Sequence, residues 1–215
     1  GMSSENNLDE FLNNQSKKIH YSDRALAKLV RSAYPIGVPA LIMKSSTDRM
    51  MLESGYSFIL GTPDELLRSL ASWLITEAGN THRVLLKLIR RLWKRHGRED
   101  VALASILLAN IDHKGMGTNP WEILEASIHT VESIDSLLLN IEELFRAKRQ
   151  PPSEDLILRW INGRKIDRHL CLILIYSGRI HGHDFSKELI EEITSIEIPP
   201  GDSILTRIKS NLIDI

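Results

Sequence analysis

The sequence predicts an all-α chain, a solenoid built from antiparallel helix pairs. Helix starts recur along it. Thr62-Pro63-Asp64-Glu65, Asn119-Pro120-Trp121-Glu122 and Pro152-Ser153-Glu154-Asp155 each set a capping side chain or proline ahead of acids that suit the positive end of a helix dipole. All eight prolines, at 35, 39, 63, 120, 151, 152, 199 and 200, fall in loops or at such starts, so none breaks an apolar-periodic stretch. Strand signals are weak, because no long run alternates apolar and polar residues.

The elements follow in order. Residues 81–96 pair with 98–111, 120–131 with 134–147, 153–162 with 166–177, and 184–196 with 202–213. The first helices of these pairs start 39, 33 and 31 residues apart, and that rhythm points to a repeat, since one hairpin cannot bury its apolar face alone. Gly97, Gly163 and Gly178 read as left-handed stops after periodic stretches. Leu170 to Tyr176, LCLILIY, is the one rival for a buried strand, but Asp167 before it and Gly178 after it favour a buried helix of about three turns. Residues 1–20 read as a polar N-terminal segment and 21–215 as a single helical-repeat domain. The stretch YPIGVPALIM, Tyr34 to Met43, fits the rhythm least well.

With 215 residues, 42% apolar and 26% charged, the chain can bury a core without staples. Its single cysteine, Cys171, lies in the apolar run and reads as a core residue. The polar, acidic opening GMSSENNLDEFLNN is unlike a secretion signal, and no apolar run approaches the ~20 residues that span a bilayer. The expected location is cytoplasmic, with no membrane association and no cofactor.

The net charge is only −1, yet Arg83, Lys87, Arg90, Arg91, Lys94, Arg95 and Arg98 precede the first acid of their stretch, Glu99. At 100° per residue the seven fall within an arc of about 140°, opposite Leu85, Leu88, Ile89, Leu92 and Trp93. Like charges at i,i+4 repel, so seven of one sign suggest a counterpart. Three readings stay open: nucleic-acid phosphates contacted without base readout, acids elsewhere in the chain or on a partner, and simple solvation. The acids most concentrated in sequence are Glu122, Glu125, Glu132, Asp135, Glu142 and Glu143, then Asp184, Glu188, Glu191, Glu192 and Glu197.

The run LLKLIRRLWKRHGREDVALASILLANI resembles a repeat of the HEAT-like DNA alkylation repair glycosylases. Its Leu92-Trp93, His96-Gly97 turn, Glu99-Asp100 pair and alanine- and leucine-rich helix carry the likeness. NPWEILEASIHTVESIDSLL and SEDLILRWINGRKIDRHLCLILI resemble the next two repeats, and IGVPALI is similar to the segment that opens the family's domain. The resemblance spans most of residues 34 to 177. It implies a curved stack of helical hairpins that holds duplex DNA in a concave basic groove, where an aspartate and aromatic rings assist excision of alkylated purines.

The family's Trp-Asp-x-x-Asp element aligns with Ile134 to Leu138, where Asp135 matches and Leu138 takes the catalytic aspartate's place. Its Trp-x-Arg-Arg element aligns with Ile166 to His169, where the tryptophan is missing and Arg168 keeps a DNA-contacting arginine's position. Leucine cannot stabilise a cationic sugar, and isoleucine offers no π-face. The expectation is therefore a non-catalytic binder of the duplex DNA backbone. The competing readings are a protein-interaction scaffold with an acidic partner and a divergent glycosylase working through Asp135. The ridge of cations lies on a first helix, which the analogy places on the convex side. Groove contacts would fall to Arg164, Lys165, Arg168 and His169, aided by Arg146, Lys148 and Arg149.

Other constellations carry less. In HGHDF, Asp184 reads as an N-cap beside the solvent histidines His181 and His183, with too few fixed ligands for a metal. The glycines of IDHKGMGTN lack the following Gly-Lys-Ser/Thr of a phosphate loop. Trp73, Trp93, Trp121 and Trp160 read as core residues rather than base-stacking ones.

Overall fold

The structure is a computed structural model, which describes residues 4–36, 38, 55–80 and 82–213. Among the described residues all regular structure is helical, and no helix is long and apolar enough to cross a membrane. Most of IGVPALI lies outside the described residues, which include only its Ile36 and Val38.

The helices fall into two compact units, residues 1–127 and 128–215. The first holds α1 (Ser4–Asn13), a 3-10 turn (Lys17–Tyr21), α2 (Asp23–Ala33), α3 (Asp64–Glu77), α4 (Arg83–Arg95), α5 (Arg98–Asn110), the single turn α6 (His113–Met116) and α7 (Pro120–Ser127). Within the expected polar N-terminal segment, α1 turns Leu8 and Leu12 inward, so that the segment joins the core and packs on α3. The second unit holds α8 (Ile134–Arg146), α9 (Glu154–Ile161), α10 (Lys165–Ile180), α11 (Lys187–Thr194) and α12 (Ser203–Ile213).

Each unit is built around one central helix. In α5 every residue from Glu99 to Ala109 is buried, because after Asp100 the sequence supplies only small and branched apolar residues and Ser105, on every face. α4 lies against it as the expected hairpin partner, and α3 and α7 also touch it. In the second unit α10 has the same place. It pairs with α9 and packs between α8 and α12, while α9 meets α11 and α11 meets α12. LCLILIY lies wholly within α10, a helix and not a strand, and Leu170 to Ile175 are all buried. Cys171 is enclosed among them. Its thiol donates to the Ile157 carbonyl at 3.5 Å, and burial, then the Asp167 charge, pushes its pKa up. Trp93, Trp121 and Trp160 are core residues, each 2% exposed or less.

The caps at Asn119 and Ser153 form as read, accepting from the backbone N–H groups of Trp121 at 2.9 Å and Leu156 at 3.2 Å. Other start and stop signals work differently. Thr62 does not cap α3; its hydroxyl donates to the Tyr34 carbonyl at 2.8 Å. Ser186, rather than Asp184, caps α11. The left-handed residue that ends α4 is His96, at φ 60°, and Gly97 is the N-cap of α5. Gly97 is needed for room, since a Cβ there would lie 2.1 Å from the Phe58 ring. Gly178 ends nothing. α10 runs through it to Ile180, and the missing side chain makes space for Phe185, whose ring would stand 2.8 Å from a Cβ.

Candidate nucleic-acid interface

The α4 helix buries Leu85, Leu88, Ile89, Leu92 and Trp93, as the wheel requires, and turns its cations outward. Six of the seven lie on α4; Arg98 opens α5 beyond the left-handed His96 and so leaves the expected arc, and the seven do not share one fate. Arg83, Lys87, Arg90, Arg91 and Lys94 are exposed, while Arg95 and Arg98 are half-buried. Arg91 and Arg95 lie on one side of the arc, the side toward α2, and both are neutralised there. Arg91 pairs with Asp23 of α2. Arg95 forks onto Asp100 through Nε at 2.9 Å and Nη2 at 2.8 Å, and its Nη1 donates to the Ala27 carbonyl at 2.8 Å. Asp23 and Ala27 thus meet Arg91 and Arg95 in step, so α2 and α4 advance in the same direction where they touch. The hydrogen bond from Arg91 holds the Asp23 carboxyl below its ordinary range.

Arg98 pairs with Glu99 and also donates to the Thr62 carbonyl at 3.3 Å. Glu99 and Asp100 are wholly buried. Glu99 accepts from the backbone N–H groups of Leu60, Gly61 and Thr62 at 2.9, 3.0 and 3.1 Å. Asp100 caps Gly97 at 3.1 Å and accepts from the Tyr34 hydroxyl at 2.8 Å. The acids that meet Arg91, Arg95 and Arg98 are therefore Asp23, Asp100 and Glu99. None belongs to the two acidic stretches singled out in the sequence.

Tyr34 is enclosed, and burial together with the Asp100 charge raises its pKa well above 10. A raised tyrosine contributes stability that is fully present below its unfolded value of about 10 and is lost as pH climbs above it. Alkaline titration followed by circular dichroism is expected to unfold the protein above about pH 10, and Tyr34→Phe to flatten that dependence. The same substitution is expected to cost about 1.5–3 kcal/mol near neutrality, because a hydrogen bond to a charged acceptor is lost.

What remains on α4 is a narrow stripe. Arg90 and Lys94 have no hydrogen bond or ion pair among the described residues, and Lys87 only helps to lower Asp23. Sequence reasoning did not single out Arg24 and Lys28, which are also exposed, on the helix that lies alongside.

The second predicted cluster is in the other unit. Arg164 is tied to Asp167, its Nη2 at 2.9 Å, and the buried Asp167 also caps the Arg164 backbone N–H at 2.9 Å. This repeats the Arg95–Asp100 device at the start of the other central helix. Arg168 donates to the Gly163 carbonyl at 2.8 Å, and of these three cations only Lys165 is both exposed and unpaired among the described residues. Lys165 and Arg168 border an open cavity of about 590 Å³ that Glu192 and Glu197 also line, so its charge balances. Burial, then Lys165, holds His169 below the ordinary histidine range, and it adds no positive charge there near neutral pH. This arrangement makes a poor phosphate cradle.

Asp135 and Leu138, the two positions weighed for a catalytic carboxylate, border one cavity of about 260 Å³. Asp135 is exposed and Leu138 is half-buried in its lining. In the HGHDF turn, the His181 and His183 rings lie 5.2 and 5.1 Å from that of Phe145, and His181 also bonds Glu142 at 2.7 Å. No protein-family model matches the chain, and no curated protein or solved structure matches it either.

Proposed function

We propose that this chain is a non-catalytic nucleic-acid-binding module, similar to the HEAT-like DNA alkylation repair proteins, which grips duplex DNA by its backbone phosphates. The observation that supports this reading is the exposed stripe of Lys87, Arg90 and Lys94, cations of one sign that the fold leaves without ion pairs among the described residues. Phosphates at one charge per ~1.7 Å of duplex are the densest natural counterpart for such a stripe. Within each unit, a central helix flanked by hairpin partners supports the helical-repeat solenoid as its architecture. Leu138 in an aliphatic wall offers no charge to a departing purine, so no chemistry is assigned.

Three neutralised phosphates give an expected slope of log affinity against log salt of about −2.7. Duplex-DNA affinity should then fall about 40-fold between roughly 50 and 200 mM salt. Reversing Lys87, Arg90 and Lys94 to glutamate should abolish binding without altering the circular dichroism spectrum. Binding that ignores salt, or that survives the reversal, would remove the proposal. The competing partner is an acidic protein surface, a reading favoured by the carboxylate of Asp23 already seated on this helix. In that case DNA shows no affinity at low salt, and the same triple reversal releases a protein partner instead.

A further inference from the structure

We propose that the cavity bordered by α8, α10 and α12 is a binding site for a small zwitterion with a large apolar side chain, the chemistry of a free aromatic or branched amino acid. The proposal is independent of the cationic stripe, which belongs to the other unit. α10 packs against both α8 and α12, and its Ile173 and Tyr176 line the cavity. Its walls are Ile134 and Leu138 from α8, Ile173 from α10, and Ile204 and Ile208 from α12. Ile204 is 49% exposed although it borders this apolar space, so the described residues leave part of the aliphatic surface open.

The volume, about 260 Å³, equals roughly nine waters at ~30 Å³ each, and few polar groups are present to hold that water. An apolar space with a small number of polar groups in its lining is the form that small-molecule sites take. Those groups are Asp135, Tyr176, Arg207 and Asn211. Among the described residues none of the four makes a hydrogen bond or ion pair, and Asp135 and Arg207 do not pair with each other. The lining therefore presents one carboxylate and one guanidinium, neither of them paired among the described residues. A ligand with a single charge would meet attraction from one and repulsion from the other. A head that carries both charges satisfies both, with its ammonium on Asp135 and its carboxylate on Arg207.

The test is a titration of the full chain with L-tryptophan, followed by the isoleucine methyl resonances in NMR. Tryptamine and indole-3-propionate serve as singly charged comparators of the same ring. L-Tryptophan is expected to shift Ile134, Ile173, Ile204 and Ile208 saturably, with a midpoint below about 1 mM. Each comparator should bind at least about tenfold more weakly. Asp135→Asn and Arg207→Gln lie at exposed positions that leave the fold intact, and each should weaken L-tryptophan by at least about tenfold. Leu138→Trp, which fills the cavity, should abolish the shifts. No saturable shift at about 10 mM, equal binding of the three indoles, or unchanged affinity in both charge variants would overturn the assignment.

Discussion

Asp100→Ala is expected to cost about 3–5 kcal/mol in urea unfolding, the range found when one member of a buried ion pair is removed. The carboxylate has no exposure, and three different elements depend on it: the Arg95 guanidinium, the Gly97 backbone N–H and the Tyr34 hydroxyl. Removing it strands all three together. Arg95 keeps its bond to the Ala27 carbonyl, and its side chain is only 29% exposed, so water recovers little of the missing solvation. Asp167→Ala supplies the internal control. The same capping aspartate and arginine recur there, but the Arg164 side chain is 40% exposed and no tyrosine shares the acid. Its effect should be smaller by at least about 1 kcal/mol, since an exposed ion partner rehydrates. Equal effects would mean that the cap to the backbone, common to both, dominates, and that the buried arginine pair contributes little.

The contrast between these two aspartates also marks what could be read from the amino acids. Periodicity identified α4 and its buried face residue by residue, because its five apolar positions repeat at helical spacing against a one-sided set of cations. The apolar run Leu170 to Ile175 was legible as a buried helix, and 98–111 as the hairpin partner of α4, but the central place of neither was. The caps at Asn119 and Ser153 were legible because their chemistry is local. The burial of Glu99 and Asp100 was not. An acid in a first helical turn is explained equally well by the helix dipole, and what encloses these two comes from Tyr34 and from residues 60–62, far away in sequence. The arc holds for six of the seven cations, while Arg98 falls outside it because the chain turns at the left-handed His96 and Arg98 starts α5. Yet its division into one paired side and one open side depends on Asp23 and Ala27 of α2, whose register against α4 no local pattern announces. Gly97 and Gly178 misled for a related reason: each gives room to a ring from elsewhere in the chain, Phe58 or Phe185.

Glu99→Ala is the second large effect, about 2–4 kcal/mol, and it should be distributed differently. Glu99 is the acceptor for three consecutive backbone N–H groups, those of Leu60, Gly61 and Thr62, and it holds the segment before α3 against the start of α5. Neighbouring backbone bonds, Ser57 N–H to the His96 carbonyl at 2.9 Å and Arg98 N–H to the Phe58 carbonyl at 2.8 Å, fix the same segment from its other end. Without the carboxylate, Leu60 and Gly61 can turn to water, but the Thr62 N–H is enclosed and bears the desolvation cost. Glutamine should not rescue the site. Its amide keeps one acceptor oxygen and brings an NH₂ donor to face donors, so Glu99→Gln should fall within about 1 kcal/mol of the alanine variant. Hydrogen exchange separates this variant from Asp100→Ala. Amides 60–62 should lose protection selectively in Glu99→Ala while those of α5 keep theirs, because the N–H groups that Glu99 holds belong to the segment rather than to the helix. If α5 loosens to the same degree, the carboxylate's main role is to hold the start of the helix, and the segment before α3 is secured by its other bonds.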